Sequence, residues 1–178
     1  MASTEFLPLD TGAINVKSFD CSKDAINTYL RRYAAKNMAL NLNRTFVLPY
    51  MPEAYIGKED PGKSHVAAYY TLAHQTLVRE ELPDPSRLPP YPVPVILLAQ
   101  MGIDRQFHRQ GLGAKTLIYA LRHAYQIASN PKGIPALGVV LDVLDQDALA
   151  FYRSFDFFLP LSDTPTKLFV PIASLESL

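Results

Sequence analysis

The stretch "MGIDRQFHRQGLGAKTLIYALRHAYQIA", Met101–Ala128, decides how the chain is put together. It begins inside the near-continuous apolar run "VILLAQMGID" (Val95–Asp104), which reads as a buried central strand. It ends as an amphipathic helix with Ala114, Leu117, Ile118, Leu121, Ala124, Tyr125 and Ala128 on one face. Between them stand Gly111 and Gly113, where glycine costs a helix roughly 1 kcal/mol relative to alanine. Arg105, Arg109, Lys115, Arg122 and Lys132 lie along the segment, and no acidic residue occurs from Arg105 to Lys132. Glycines at that point let an anion approach backbone N–H groups that have no intrahelical partner, at the positive end of the helix dipole. A turn that merely tightens strand-to-helix packing uses the same two glycines. Two phosphate loops are excluded by spacing: Gly113 is followed by Ala114, Lys115 and Thr116, so there is no GxGxxG, and no GxxxxGK[ST] occurs.

Upstream, Ser22 is a candidate N-cap for a helix over "KDAINTYLRRYAAKNMAL". Ile26, Leu30, Ala34 and Met38 form its apolar row, widened by Tyr29 and Tyr33, with Arg31, Arg32 and Lys36 off the stripe. "RTFVLPY" (Arg44–Tyr50) and "SHVAAYYTLA" (Ser64–Ala73) read as strands. The segment between them, with Pro52, Gly57, Pro61 and Gly62, reads as a long hairpin loop. Arg79–Pro94 holds six of the fifteen prolines and reads as a connection across the edge of the domain rather than a boundary. Downstream, "ALGVVLDV" (Ala136–Val143) is a second buried strand, Asp145–Phe155 a short helix capped by Asp145, and "TKLFVPI" (Thr166–Ile172) the strand expected to close the sheet. This order predicts an α/β protein with a mixed sheet and helices packed on it. One right-handed parallel crossover is expected between Val95–Asp104 and Ala136–Val143.

The 178 residues suit a single domain, 1–178, with a full core. Hydrophobic residues at 48% and charged residues at 19% exclude a disordered chain. No apolar run reaches the length of a membrane span, and "MASTEFLPLD" lacks a secretory leader's features, so a cytoplasmic protein is expected. The lone Cys21 excludes an internal disulfide and a cysteine zinc cluster. Net charge is zero, which argues against a uniformly basic nucleic-acid binder, yet charge is unevenly placed. Lys23, Arg31, Arg32, Lys36 and Arg44 outnumber Asp20 and Asp24 between Phe19 and Arg44. From Asp142 onward the acids Asp142, Asp145, Asp147, Asp156, Asp163 and Glu176 outnumber Arg153 and Lys167. That asymmetry suits an anionic ligand on one side. His65, His74, His108 and His123 are dispersed and show no HExxH spacing, and no GxSxG occurs, so no metal is expected.

Residues His108, Arg109, Gln110, Gly111, Leu112 and Gly113 resemble the acyl-CoA motif Q/R-x-x-G-x-G/A of the GNAT N-acetyltransferases, with His108 replacing the usual first residue. "FDCSKDAINTYLRRYAAKN", "PVPVILLAQMGIDRQFHRQGLG" and "DALAFYRSFDF", taken in order, are similar to one branch of that family. That branch is the GNAT toxins of type II toxin–antitoxin pairs, of the TacT/AtaT kind, which acetylate aminoacyl-tRNA. Asp156 replaces the glycine usual in the last block.

The resemblance implies the GNAT fold, a central mixed β-sheet flanked by helices, and acetyl-CoA as co-substrate. It assigns the backbone of Met101, Gly102 and Ile103 to the acetyl-CoA thioester and the loop His108–Lys115, with Ala114 and Lys115, to the pyrophosphate. Asp145 joins the cofactor-side residues, and Tyr152 becomes the general acid that protonates the departing thiolate. Without the resemblance, Tyr152 reads as a core tyrosine among the phenylalanines of "AFYRSFDFF". The chemistry is consistent: a phenol is protonated at neutral pH, and an α-amine with pKa near 8, lower on an ester, needs no strong base. Arg31, Arg32, Lys36, Arg44, Arg105 and Arg122 are candidates for tRNA phosphates, with Arg109 beside them; equally, they are solvated helix faces. The implied partners are aminoacyl-tRNA, a ribbon-helix-helix antitoxin whose tail covers the active-site face, and a second copy of the chain. A GNAT acting on a small amine or a protein N-terminus, and a non-catalytic acyl-CoA-binding regulator, remain open on the sequence.

Overall fold

In the computed structural model, residues 4–59, 62–161 and 164–178 are described. Pro61 of the hairpin loop, Asp163 of the acidic tail and the first three residues lie outside them. Among the described residues eight strands form one sheet in the order β1-β3-β4-β5-β6-β8-β7, with β2 on β4. The chain divides into two compact units, one reaching up to Leu72 with Gln100–Leu117 added, the other Ala73–Ala99 with Ile118–Leu178. The proline-rich segment is not where they divide.

In the first unit β3 (Arg44–Tyr50) pairs antiparallel with β4 (Ser64–Leu77), from Arg44↔Leu72 to Tyr50↔His65. The register shifts between Leu48 and Pro49, where proline lacks the N–H that a ladder needs. Thr45 and Thr71 share a buried hydroxyl hydrogen bond of 2.7 Å across this pair. Two short strands escape the sequence pattern: β1 (Leu7–Pro8) on β3 and β2 (Ile14–Asn15), parallel on β4. Two residues are too few to show a period.

The first helix is not the regular one its apolar row predicts. It runs as α1 (Asp24–Thr28), a π-helical turn (Tyr29–Tyr33) and α2 (Ala34–Ala39). Nor does Ser22 cap it. The N-cap is Lys23, whose side chain makes no capping hydrogen bond, while Ser22 takes a left-handed φ of 68° and donates its N–H to Asp20 Oδ1 at 2.9 Å. Asp20 supplies the acceptor for the Ser22 N–H in place of a serine cap. Phe19, Leu30, Ala34, Val47, Val66 and Tyr69 form the buried cluster beneath.

β5 (Val93–Ile103), which belongs to the second unit as far as Ala99, runs parallel there to β6 (Gly138–Asp142) through Ile96↔Val139 and Leu97↔Val140. The crossover helix α3 (Leu112–Ser129), in the second unit from Ile118 on, buries Leu117, Ala120, Leu121 and Ala124 at helical spacing. β8 (Thr164–Pro171) pairs antiparallel with β6, but it does not close the sheet. The edge is β7 (Leu159–Leu161), whose "LPL" carries a proline and gives no alternating signal. Arg79–Pro94 folds into two 3-10 turns, Arg79–Glu81 and Pro85–Arg87, and sends Leu82 and Leu88 into the cluster of Leu77, Val95, Val140 and Phe169.

Candidate active site

Gly102 sits where β5 meets the first helix. A Cβ there would lie 2.7 Å from Ile26 Cγ2, 3.0 Å from Tyr69 Cε1 and 3.1 Å from Phe19 Cζ. The absent side chain lets α1 lie close on the strand assigned to acetyl-CoA. Gly102→Val is therefore expected to cost about 1–3 kcal/mol, the usual penalty of overpacking. A thermal melt that matches wild type would contradict this.

The next residue but one is a polar hub that the sequence reading left as a strand end. Asp104 is 2% exposed. Its Oδ1 accepts Gln106 N–H at 3.0 Å, capping the 3-10 turn Arg105–Phe107, and its Oδ2 accepts Asp20 N–H at 3.1 Å. Its own N–H donates to Ala67 O at 2.8 Å. Asp20 in turn accepts the Asn27 amide at 3.0 Å and pairs with Arg105 at 3.4 Å. The Ser22 N–H and then the Asn27 amide hold the Asp20 carboxyl below its usual range, with Arg105 and Arg31 assisting. No residue spacing announces this hub, because Asp20 and Asp104 are 84 residues apart in sequence.

Beyond it the chain turns sharply. Arg109 has φ 58° and Gly111 φ 77°, two left-handed residues within three. Only glycine takes that conformation freely, so Arg109 carries local strain, a feature that clusters at binding loops. Gln110 braces the loop by donating to Gln106 O at 2.9 Å. His108, the departure from the motif, holds its ring Nε2 2.8 Å from Ile103 O, so it ties the loop back to β5. Leu112, Phe107, Ile103 and Tyr50 all pack on the buried cluster of Leu48, Ala67 and Ala68, and Gln106 donates to Tyr50 Oη at 3.0 Å. The first helical bond is Lys115 N–H to Gly111 O at 3.2 Å. Earlier N–H groups of α3 have no carbonyl within the helix to bond. Gly113 and Ala114 are half-buried, while Arg109, Gln110, Gly111 and Lys115 are exposed. An open backbone cradle with two cations beside it is what a pyrophosphate needs.

In the second unit Asp145 caps α4 (Gln146–Arg153), accepting Ala148 N–H at 2.9 Å, as its position predicts. Tyr152 lies on the inward face of that helix and is 9% exposed. Its ring meets Phe151 at 5.1 Å and Phe158 at 5.9 Å, both edge-on. Burial pushes its phenol above the ordinary tyrosine value. It is therefore a proton donor at neutral pH and a poor base. Burial also lowers the His123 pKa on α3, so that histidine is neutral there.

The six tRNA candidates divide. Arg31 donates to Phe19 O, Arg44 to Asn41 Oδ1 at 2.8 Å and Asn43 O at 3.1 Å, Arg105 pairs with Asp20, and Arg122 Nε donates to Leu178 O at 2.9 Å. Arg32 and Lys36, one helical turn apart, are exposed. Arg122 belongs to the second unit and the other five to the first. Among the described residues no group of three or more histidine, cysteine, aspartate or glutamate side chains could hold a metal. Among them too, no helix is long and apolar enough to cross a membrane.

No family model matches the chain. A tRNA-acetylating toxin of Mycobacterium tuberculosis (strain ATCC 25618 / H37Rv) is 30% identical over 152 residues, 85% of this chain and 82% of that one. Among solved structures, AtaT complexed with acetyl-methionyl-tRNAfMet superposes with a TM-score of 0.82 at 24% identity, covering 99% of this chain and 98% of that chain. AtaTR bound with acetyl-CoA gives 0.78 at 25%, covering 97% and 96%. A mutant AtaT bound to the C-terminus of the antitoxin AtaR gives 0.77 at 23%, covering 99% and 96%. The fold is that of the GNAT toxins, and with 30% identity over most of both chains this protein belongs to the family of tRNA-acetylating toxins.

Proposed function

We propose that this chain is a single GNAT domain, 1–178, that moves the acetyl group of acetyl-CoA onto the α-amino group of aminoacyl-tRNA and so stops translation. The observation that carries the reading is the cradle at the start of α3, with Arg109 and Gly111 left-handed and Lys115 beside them. Acetyl-CoA supplies an acetyl group activated as a thioester. The N–H groups of Gly111–Ala114, with Arg109 and Lys115, hold its pyrophosphate. The backbone of Met101–Ile103, beyond the end of the ladder to β6, holds the thioester arm, with an N–H toward the carbonyl oxygen. His108 contributes by holding the loop to Ile103 O rather than by touching phosphate. Asp145 keeps its role as helix cap and thereby sets the direction of α4.

The acceptor nitrogen attacks the thioester carbon as a neutral amine, and the carbon–sulfur bond breaks. The Tyr152 phenol gives its proton to the departing thiolate and recovers one from the acetylated amine through solvent. Arg32 and Lys36 are the residues of choice for tRNA phosphates, since both stand exposed on one face of the first helix. Arg31, Arg44, Arg105 and Arg122 serve the fold first. A ribbon-helix-helix antitoxin with a tail over the active-site face, a homodimer and a cytoplasmic location complete the reading; AtaT bound to the C-terminus of AtaR supports the antitoxin.

The test is transfer of labelled acetyl by the purified protein to total aminoacylated tRNA and to the same tRNA after deacylation. Label confined to charged tRNA is expected. Label in neither, from protein that binds acetyl-CoA, overturns the acceptor and directs the search to small amines and protein N-termini.

A further inference from the structure

Asp20 is an acid where the proposed chemistry has no use for negative charge. No acidic residue occurs from Arg105 to Lys132, the segment that contains the anion cradle. The fold nevertheless brings the Asp20 carboxylate to the start of that segment, 3.4 Å from Arg105 Nη1. A negative charge on the turn that leads into the cradle works against an anionic ligand. Its presence calls for a compensating role.

The two carboxylate oxygens have different partners. Oδ1 accepts the Ser22 N–H at 2.9 Å and the Asn27 amide at 3.0 Å. The first bond is an Asx turn that holds Ser22 at its left-handed φ of 68°, a conformation that persists in serine only where the surroundings enforce it. The second ties the bend to α1, where the Asn27 side chain is buried and its Oδ1 accepts the Cys21 N–H at 2.8 Å. Oδ2 faces Arg105, whose side chain is 68% exposed, and an exposed pair of that length contributes little.

Oδ1 thus fixes the bend Phe19–Lys23, and the backbone of that bend grips the turn before the glycine loop at two points. The Asp20 N–H donates to Asp104 Oδ2 at 3.1 Å, and the Asp20 carbonyl accepts the Arg105 N–H at 2.8 Å. From there hydrogen bonds run on into the loop. Asp104 Oδ1 accepts the Gln106 N–H at 3.0 Å, the His108 N–H donates to Arg105 O at 3.3 Å, and the Gln110 amide donates to Gln106 O at 2.9 Å. Every residue in this series belongs to the first unit.

We infer that Asp20 is a positioning residue for acetyl-CoA: through Oδ1 it holds the bend whose backbone sets the turn Arg105–Phe107 and the glycine loop that follows. The inference rests on the acetyl-CoA reading above. The role belongs to the acceptor oxygen and not to the charge. Asparagine keeps an oxygen for Ser22 and Asn27 and turns its NH₂ to Arg105, so it preserves the bend. Alanine has no acceptor and releases it.

The experiment measures acetyl-CoA affinity by calorimetry, with a thermal melt, for wild type, Asp20→Asn and Asp20→Ala at a temperature where each is folded. Asp20→Asn is expected to bind as tightly as wild type or about twofold more tightly, since a repelling charge is gone. Asp20→Ala is expected to bind about tenfold more weakly, the scale of one hydrogen bond to a charged group. An alanine variant that melts lower but binds acetyl-CoA like wild type overturns the inference, because Asp20 would then serve the fold alone. An asparagine variant as weak as alanine also overturns it, because the charge on Arg105 would then be what matters. If Asp20→Ala yields no folded protein, Asp20→Ser takes its place. Its hydroxyl is a weaker acceptor, so a loss of about two- to fivefold is expected, and wild-type affinity overturns the inference. If the wild type itself binds no acetyl-CoA, the cofactor reading fails and this inference with it. A binding wild type with an indifferent alanine variant overturns the inference alone.

Discussion

Tyr152→Phe will bind acetyl-CoA about as tightly as wild type and transfer acetyl about 10²–10⁴-fold more slowly, the range that a positioned general acid contributes. The substitution removes only the hydroxyl, and the ring keeps its edge-on contacts with Phe151 and Phe158. The fold therefore survives. The pH dependence follows from the direction of the shift. Burial raises the phenol above its ordinary value near 10, so Tyr152 stays protonated through neutral and mildly alkaline pH. The rate in wild type should rise as the acceptor amine loses its proton and should show no fall up to about pH 9.5. A descending limb between pH 7 and 9, or a Tyr152→Phe variant of full activity, would remove Tyr152 from the mechanism. Full activity in that variant would also leave the non-catalytic regulator excluded, but with a different acid to find.

Asp104→Ala is expected to be the most damaging single change to stability near the site. It takes the acceptor from two N–H groups at once, those of Asp20 and Gln106, beside a side chain that is 2% exposed. Each stranded donor costs about 1–3 kcal/mol, so the total is about 2–6 kcal/mol. For a chain of this size that lowers the melting temperature by about 4–24 °C. Asp104→Asn should fall between, because its amide oxygen can serve one N–H while its NH₂ meets the other donor. Acetyl-CoA affinity should weaken in the same order, since the 3-10 turn that Asp104 caps leads straight into the glycine loop. A melt of Asp104→Ala within about 2 °C of wild type would show that the two donors find other acceptors.

The strand, glycine loop and helix start proposed for the cofactor were legible because their geometry is local. A phosphate cradle needs a strand end, two glycines and a helix start in immediate succession, and Met101–Lys115 shows all three. The left-handed φ of Arg109 was not legible, since arginine announces no such turn. Tyr152 could be singled out only through the family motif, because a tyrosine amid phenylalanines carries no local sign of acid catalysis. The basic residues cannot be ranked from the sequence for a related reason. Six cations counted along the chain look alike, yet Arg31, Arg44, Arg105 and Arg122 bond carbonyls and carboxylates of their own fold.

The amino-acid sequence by itself determined the long strands, the crossover helix, the glycine loop and the Asp145 cap. Each rests on periodicity or spacing within a dozen residues, where side-chain alternation and capping chemistry act directly. Only the tertiary structure decided the π-turn at Tyr29–Tyr33, the two-residue strands, β7 as the edge, and the hub that joins Asp20 to Asp104. Those features have no local preference to reveal them. A helix accepts a strained turn, and a carboxylate accepts burial, when partners distant in the chain supply packing and hydrogen bonds that the local sequence lacks.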